Sequence, residues 1–155
     1  MKIIKEFKDT PINGEIITKM EEAAININGL EEEDDYFMVF IMNQDILEQI
    51  FALMEEEKPL KAPLFVCGFS NMMKRDGLHH GLLALSRMME VAEENDCSVQ
   101  FNGGIRLIYN DDNYKELSIA CGVPENYACF GGFFVGEEGQ SIEIKKEPTI
   151  FSYIK

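Results

Sequence analysis

Alternating helices and buried strands predict a three-layer α/β or α+β domain. Three observations carry that reading. Two apolar runs, Tyr36 to Met42 and Ala62 to Phe69, suit strands covered on both faces. Segments with apolar residues at helical spacing lie around them. The chain has 155 residues, enough to bury a core within one domain over 1–155.

Each element has its own justification. Ile3 to Phe7 reads as a short extended lead. Pro11-Ile12-Asn13-Gly14 is a turn in which Asn13 serves as N-cap. Ile16, Ile17, Met20, Ala23 and Ala24 then form an apolar stripe, so residues 14–25 predict an amphipathic helix. Asn26 to Asp35 is polar and ends in five consecutive acids from Glu31. Those acids predict a solvated loop, because a calcium loop alternates ligands with spacers and needs a glycine turn. After the first buried strand, Asn43 caps a helix carrying Ile46, Leu47, Ile50, Phe51 and Met54, which Glu55 to Pro59 ends. The second buried strand leads through a loop, Ser70 to Asp76, into the longest helix, Gly77 to Glu94. Its inward positions are expected at Leu78, Leu82, Leu85, Met89 and Ala92. Asn95-Asp96 closes it.

Ser98 to Phe101 is a brief strand, and Asn102-Gly103-Gly104 marks a sharp turn or bulge between it and a second extended piece, Ile105 to Tyr109. A short helix follows, capped by Asp111 or Asp112, with Tyr114, Leu117 and Cys121 on one face. Gly122 takes the left-handed conformation that ends it, and Pro124 prevents it from resuming. Ala128 to Val135 is an apolar strand ending at Gly136. Gly136 to Gln140 is a turn, and Ser141 to Lys146 alternates Ile142 and Ile144 with polar residues. The tail, Glu147 to Lys155, carries Ile150, Phe151, Tyr153 and Ile154. It is too apolar to remain in water, so it packs on its own domain or adds to a neighbour's sheet edge as part of a homodimer.

Composition excludes some functions. The formal net charge is −14, which repels nucleic acid and anionic membranes. No apolar run is long enough to span a bilayer. The charged N-terminus does not read as a signal peptide, so a cytoplasmic location is expected. The 4 cysteines, Cys67, Cys97, Cys121 and Cys129, form no Cys-x-x-Cys pair, and no metal site is expected. His79 and His80 point about 100° apart on a helix and cannot easily share a metal.

Lys2-Ile3-Ile4-Lys5-Glu6-Phe7-Lys8-Asp9-Thr10-Pro11-Ile12 resembles the N-terminal signature of the flavin-dependent nitroreductase family. Ala62-Pro63-Leu64-Phe65-Val66 is similar to its central strand. Asp76-Gly77 through Ala92 is similar to its long core helix. Tyr109 to Gly136 is similar to its Leu-x-Gly-Ile-Pro segment and following strand. The resemblance implies an α+β, three-layer nitroreductase-like fold, with a central, mostly antiparallel or mixed sheet flanked by helices. It also implies a homodimer with FMN at the subunit interface, passing hydride from NAD(P)H to a small organic acceptor. Carried onto this sequence, Lys2, Lys5, Lys145 and Lys146 would hold the flavin phosphate. Asn102, Gly103 and Gly104 would present backbone to the flavin ring. Arg87 and Arg106 are candidates for a nicotinamide phosphate. By themselves, these residues read more readily as surface cations and an ordinary turn. The family's arginines fall on Lys2 and Lys5, its serine falls on Ile3, and the chain has no Trp. The alternative implied by those departures is a flavin-free, small-molecule-binding or regulatory dimer of the same fold.

Overall fold

The computed structural model describes residues 2–27, 35–54, 61–146 and 150–155. The elements run β1 (Lys2–Phe7), α1 (Gly14–Ile25), β2 (Tyr36–Ile41), α2 (Gln44–Leu53), β3 (Leu64–Asn71), α3 (Gly77–Glu94), β4 (Ser98–Asn102), α4 (Ile105–Tyr109), α5 (Lys115–Ala120), β5 (Tyr127–Gly136) and β6 (Glu138–Glu143). A 3-10 turn, Asp112–Tyr114, leads into α5. β2, β3, β5 and β4 pair in that order, all antiparallel. β1 and β6 form a separate antiparallel ribbon.

The period of two along β3 builds the layers. Leu64 and Val66 face one core with Met20 and Ala24 of α1 and Ala84, Leu85 and Met88 of α3. Phe65, Cys67 and Phe69 face the other, with Leu47 and Ile50 of α2, Ile105 and Ile108 of α4, and Ile4 and Phe7 of β1. The result is an α+β fold of three layers, as expected. β5 breaks the alternation once. The pairing with β3 slips between Gly68 and Phe69, opposite Phe130 and Gly131. Gly131 sits at φ 150°, which favours glycine. This bulge sends Cys129 to one core and both Phe130 and Phe133 to the other.

Five sequence expectations change. The buried face of α3 is Gly77, Gly81, Ala84, Leu85, Met88, Val91 and Ala92, while Leu78 and Leu82 are exposed. Close approach explains the rotation. A Cβ on Gly77 would lie 2.8 Å from the Asp35 carbonyl, and one on Gly81 2.6 Å from the Phe130 ring. Ile105 to Tyr109 is helical rather than extended, because Asn102 Oδ1 accepts the Ile105 N–H and Ile105, Ile108 and Tyr109 are buried at helical spacing. The turn expected over Gly136 to Gln140 is shorter, since β6 already begins at Glu138 to pair with β1. Tyr114 is exposed at the start of α5, where only Leu117 is buried. Asp35 is buried, whereas the rest of the acid run, Glu31 to Asp34, lies outside the described residues. So do Glu55 to Pro59 and the first part of the tail, Glu147 to Thr149.

Candidate functional site

β4 ends at Asn102, and the chain turns through Gly103 and Gly104 into α4. Asn102 organises this turn. Its Oδ1 accepts the Ile105 N–H at 3.0 Å, and its Nδ2 lies 3.6 Å from Met54 Sδ at the end of α2. Between these elements lies a cleft of about 450 Å³, with Leu53, Met54, Phe101, Gly103, Gly104 and Leu107 in its walls. That volume falls in the range of small-ligand sites. Among the described residues, no ionisable side chain lines it.

The two glycines leave the floor of the cleft bare. A Cβ on Gly104 would meet only Asn102 Oδ1, at 3.4 Å, and one on Gly103 only the Phe101 ring, also at 3.4 Å. Among the described residues, neither glycine amide has a hydrogen-bond partner within the protein. Phe101 is 46% exposed, with its ring edge against Gly131. The site therefore offers flat apolar surfaces and backbone amides, a set suited to a planar heterocycle.

The expected phosphate-binding lysines sit on the ribbon. Ile4 N–H donates to Gln100 Oε1 at 3.0 Å, tying the ribbon to β4 close to the cleft. Lys2 pairs in register with Glu143, and its ammonium donates to Glu138 at 2.7 Å. That hydrogen bond raises the Lys2 pKa and, together with one from Ser141, lowers that of Glu138. Lys5 lies at the register slip of β1 and is exposed. Lys145 and Lys146 follow the end of β6 and are exposed. The fold thus brings Lys2 to the same end of the ribbon as the Lys145-Lys146 pair. Arg87 is held by Glu90 at 3.2 Å and Glu94 at 3.3 Å. Arg106 is exposed on α4, beside the cleft-lining Leu107.

Other reactive groups are sequestered. Burial pushes the Cys129 thiol up to about 12 and that of Cys67 well above its usual value. Burial also raises Tyr109, whose hydroxyl lies 3.3 Å from Cys121 Sγ. At neutral pH such thiols are protonated and poor nucleophiles. His80 Nδ1 is bonded to the buried Asp35 carboxylate, on the α3 side of the sheet, and His79 is exposed. Among the described residues, no group of three or more His, Cys, Asp or Glu is arranged to hold a metal.

The two ends of the expected FMN site differ in fit. The ring end fits, because bare glycine backbone and apolar walls match an isoalloxazine. The phosphate end is less clear-cut, because Lys2 is paired with Glu138 and faces Glu143, while Lys5, Lys145 and Lys146 are exposed. Phe101 and Leu107 were not singled out from the sequence, and Met54 was read only as part of a helix's apolar stripe. An exposed apolar side chain carries no local signal that separates it from a core residue.

No family model matches the sequence, and no curated protein matches it. Solved structures do match. An FMN-dependent nitroreductase from Clostridium difficile superposes with a TM-score of 0.81 at 12% identity, over 97% of this chain and 93% of that one. A nitroreductase with bound FMN from Bacteroides fragilis gives 0.79 at 14% identity, over 96% and 89%. An NADPH:FMN oxidoreductase from Vibrio harveyi, complexed with NAD+, gives 0.75 at 17% identity, over 93% and 68%. At these identities the likeness speaks for architecture: this chain has the nitroreductase fold.

Proposed function

We propose that the chain is a nitroreductase-like flavoprotein that passes hydride from NAD(P)H through FMN to a small organic acceptor. The observation that carries this reading is the cleft at Asn102–Gly104, an uncharged slot with bare backbone on a fold shared with FMN-dependent nitroreductases. When bound, the flavin supplies the redox chemistry. The chain's own residues bind and orient. Asn102 holds the Gly103-Gly104 turn in place, leaving two amides to donate to ring heteroatoms. Phe101, Met54 and Leu107 exclude water from the ring faces.

A homodimer accompanies this reading. Ile150, Phe151, Tyr153 and Ile154 are all exposed in the single chain, as are Leu78, Leu82 and Leu83 on α3. Such a concentration of exposed apolar surface favours a partner, and a second copy is the simplest one. Among the described residues, no helix is long and apolar enough to cross a membrane, and the four cysteines are free, which supports a cytoplasmic setting.

The second reading is a flavin-free dimer of the same fold. The Lys2–Glu138 ion pair favours it, since it occupies a cation expected to meet phosphate. One experiment separates the two. The protein is mixed with FMN, desalted, scanned for visible absorbance and treated anaerobically with NADH or NADPH. A retained yellow colour that bleaches supports the flavoprotein. A colourless eluate supports the flavin-free dimer.

A further inference from the structure

We infer that the cleft recognises a flavin by its ring alone, so that riboflavin and FMN bind with comparable affinity. This inference rests on the flavin reading above and narrows its ligand. FMN differs from riboflavin by one terminal phosphate, which is anionic at neutral pH. A cofactor site that selects FMN needs cations or free donors placed for that phosphate.

Among the described residues the structure supplies no cation inside the cleft, and its two unpartnered amides, those of Gly103 and Gly104, are the ones assigned to the ring. Its described lining is Leu, Met, Phe, Asn, Gly and Ile, without an ionisable side chain. The nearby ribbon presents cations, of which Lys2 and Lys8 are matched. Lys2 donates to Glu138 and sits opposite Glu143, and Lys8 donates to Glu137 at 3.2 Å. Lys5, Lys145 and Lys146 are exposed and outside the described lining of the cleft, so salt weakens their attraction for the phosphate of a ring-bound ligand. Arg106 is exposed one position before Leu107 and is not in the lining. The whole chain carries −14, which further disfavours an added anion.

The ring-recognising features are common to both flavins. Phe101, Met54, Leu53 and Leu107 offer apolar faces, and the Gly103 and Gly104 amides offer donors. Neither contact depends on the phosphate.

The full chain is titrated with riboflavin and, separately, with FMN, following quenching of flavin fluorescence at physiological ionic strength. The expected result is two dissociation constants within about threefold of each other. FMN bound about tenfold tighter or more overturns the inference while leaving the flavin reading intact. Failure of both flavins to bind overturns both. The Leu107→Asp variant tests location. Leu107 is exposed, so the change leaves the core untouched. It should weaken both flavins by about tenfold, and unchanged binding overturns the assignment to this cleft.

Discussion

Asp35 is the one buried carboxylate among the described residues, and the structure gives it two tasks. Its carboxylate meets His80 Nδ1, and its carbonyl accepts the Asn71 N–H at 2.8 Å. Asp35→Ala keeps the second contact and removes the first. It should cost about 2 kcal/mol, because a partly buried imidazole loses its hydrogen-bond partner. Urea unfolding measures this, and Asp35→Asn should recover part of the loss. In the sequence Asp35 was one of five like acids, and nothing local separated it from its neighbours. Only its place at the mouth of β2, under the start of α3, sets it apart. The thiols allow a pH prediction. Burial raises Cys129 from 9.0 to about 12 in the folded chain, so the folded state keeps a proton that the unfolded state releases. Their contribution is complete below the unfolded value and is lost as pH rises toward the folded one. Cys67, Cys97, Cys121 and Tyr109 shift in the same direction. The urea midpoint should therefore fall as pH rises above about 9, and Cys129→Ala should flatten the fall.

At the scale of elements, the weak point of the sheet is the far end of β5. β4 pairs with it only from Gly136 down to Gly132. Beyond that, Asn110, just past α4, takes the place of a strand. Its Nδ2 donates to the Cys129 carbonyl and its Oδ1 accepts the Cys129 N–H, both at 2.9 Å. Asn110→Ala should cost about 2 kcal/mol and speed hydrogen exchange at the Cys129 amide, since one side chain satisfies two backbone groups beside the core. A cap is a smaller device. Asn43 Oδ1 accepts the Ile46 N–H at 3.1 Å, so Asn43→Ala should lower stability by about 1 kcal/mol in urea unfolding. Asn13 and Asn43 were legible as caps because the signal is local: a short polar side chain just before a periodic run. The facing of α3 was not. Its leucines and its small residues both recur at helical spacing, and the sheet selected the small ones because Phe130 and two backbone carbonyls needed the room. The helical state of Ile105 to Tyr109 was hidden for a related reason, since five mostly apolar residues fit either period until burial chooses one.

For the whole molecule, the exposed tail is the sharpest test of assembly. If it docks on a second copy, removing residues 150–155 should convert a dimer into a monomer, as read by light scattering; an unchanged mass would remove the tail from the interface. The sequence by itself determined most of the succession of strands and helices, the buried strand β3, the caps and the overall nitroreductase likeness, because each rests on periodicity or on side chains acting within a few residues; β2, expected to be covered on both faces, is an edge strand buried only at Ile41. Tertiary structure decided the rest. It turned the face of α3, buried Asp35, set Met54 beside Asn102 at the cleft, and closed Lys2 onto Glu138. Each of these depends on groups far apart in the chain, whose mutual distances exist only once the sheet and ribbon have formed.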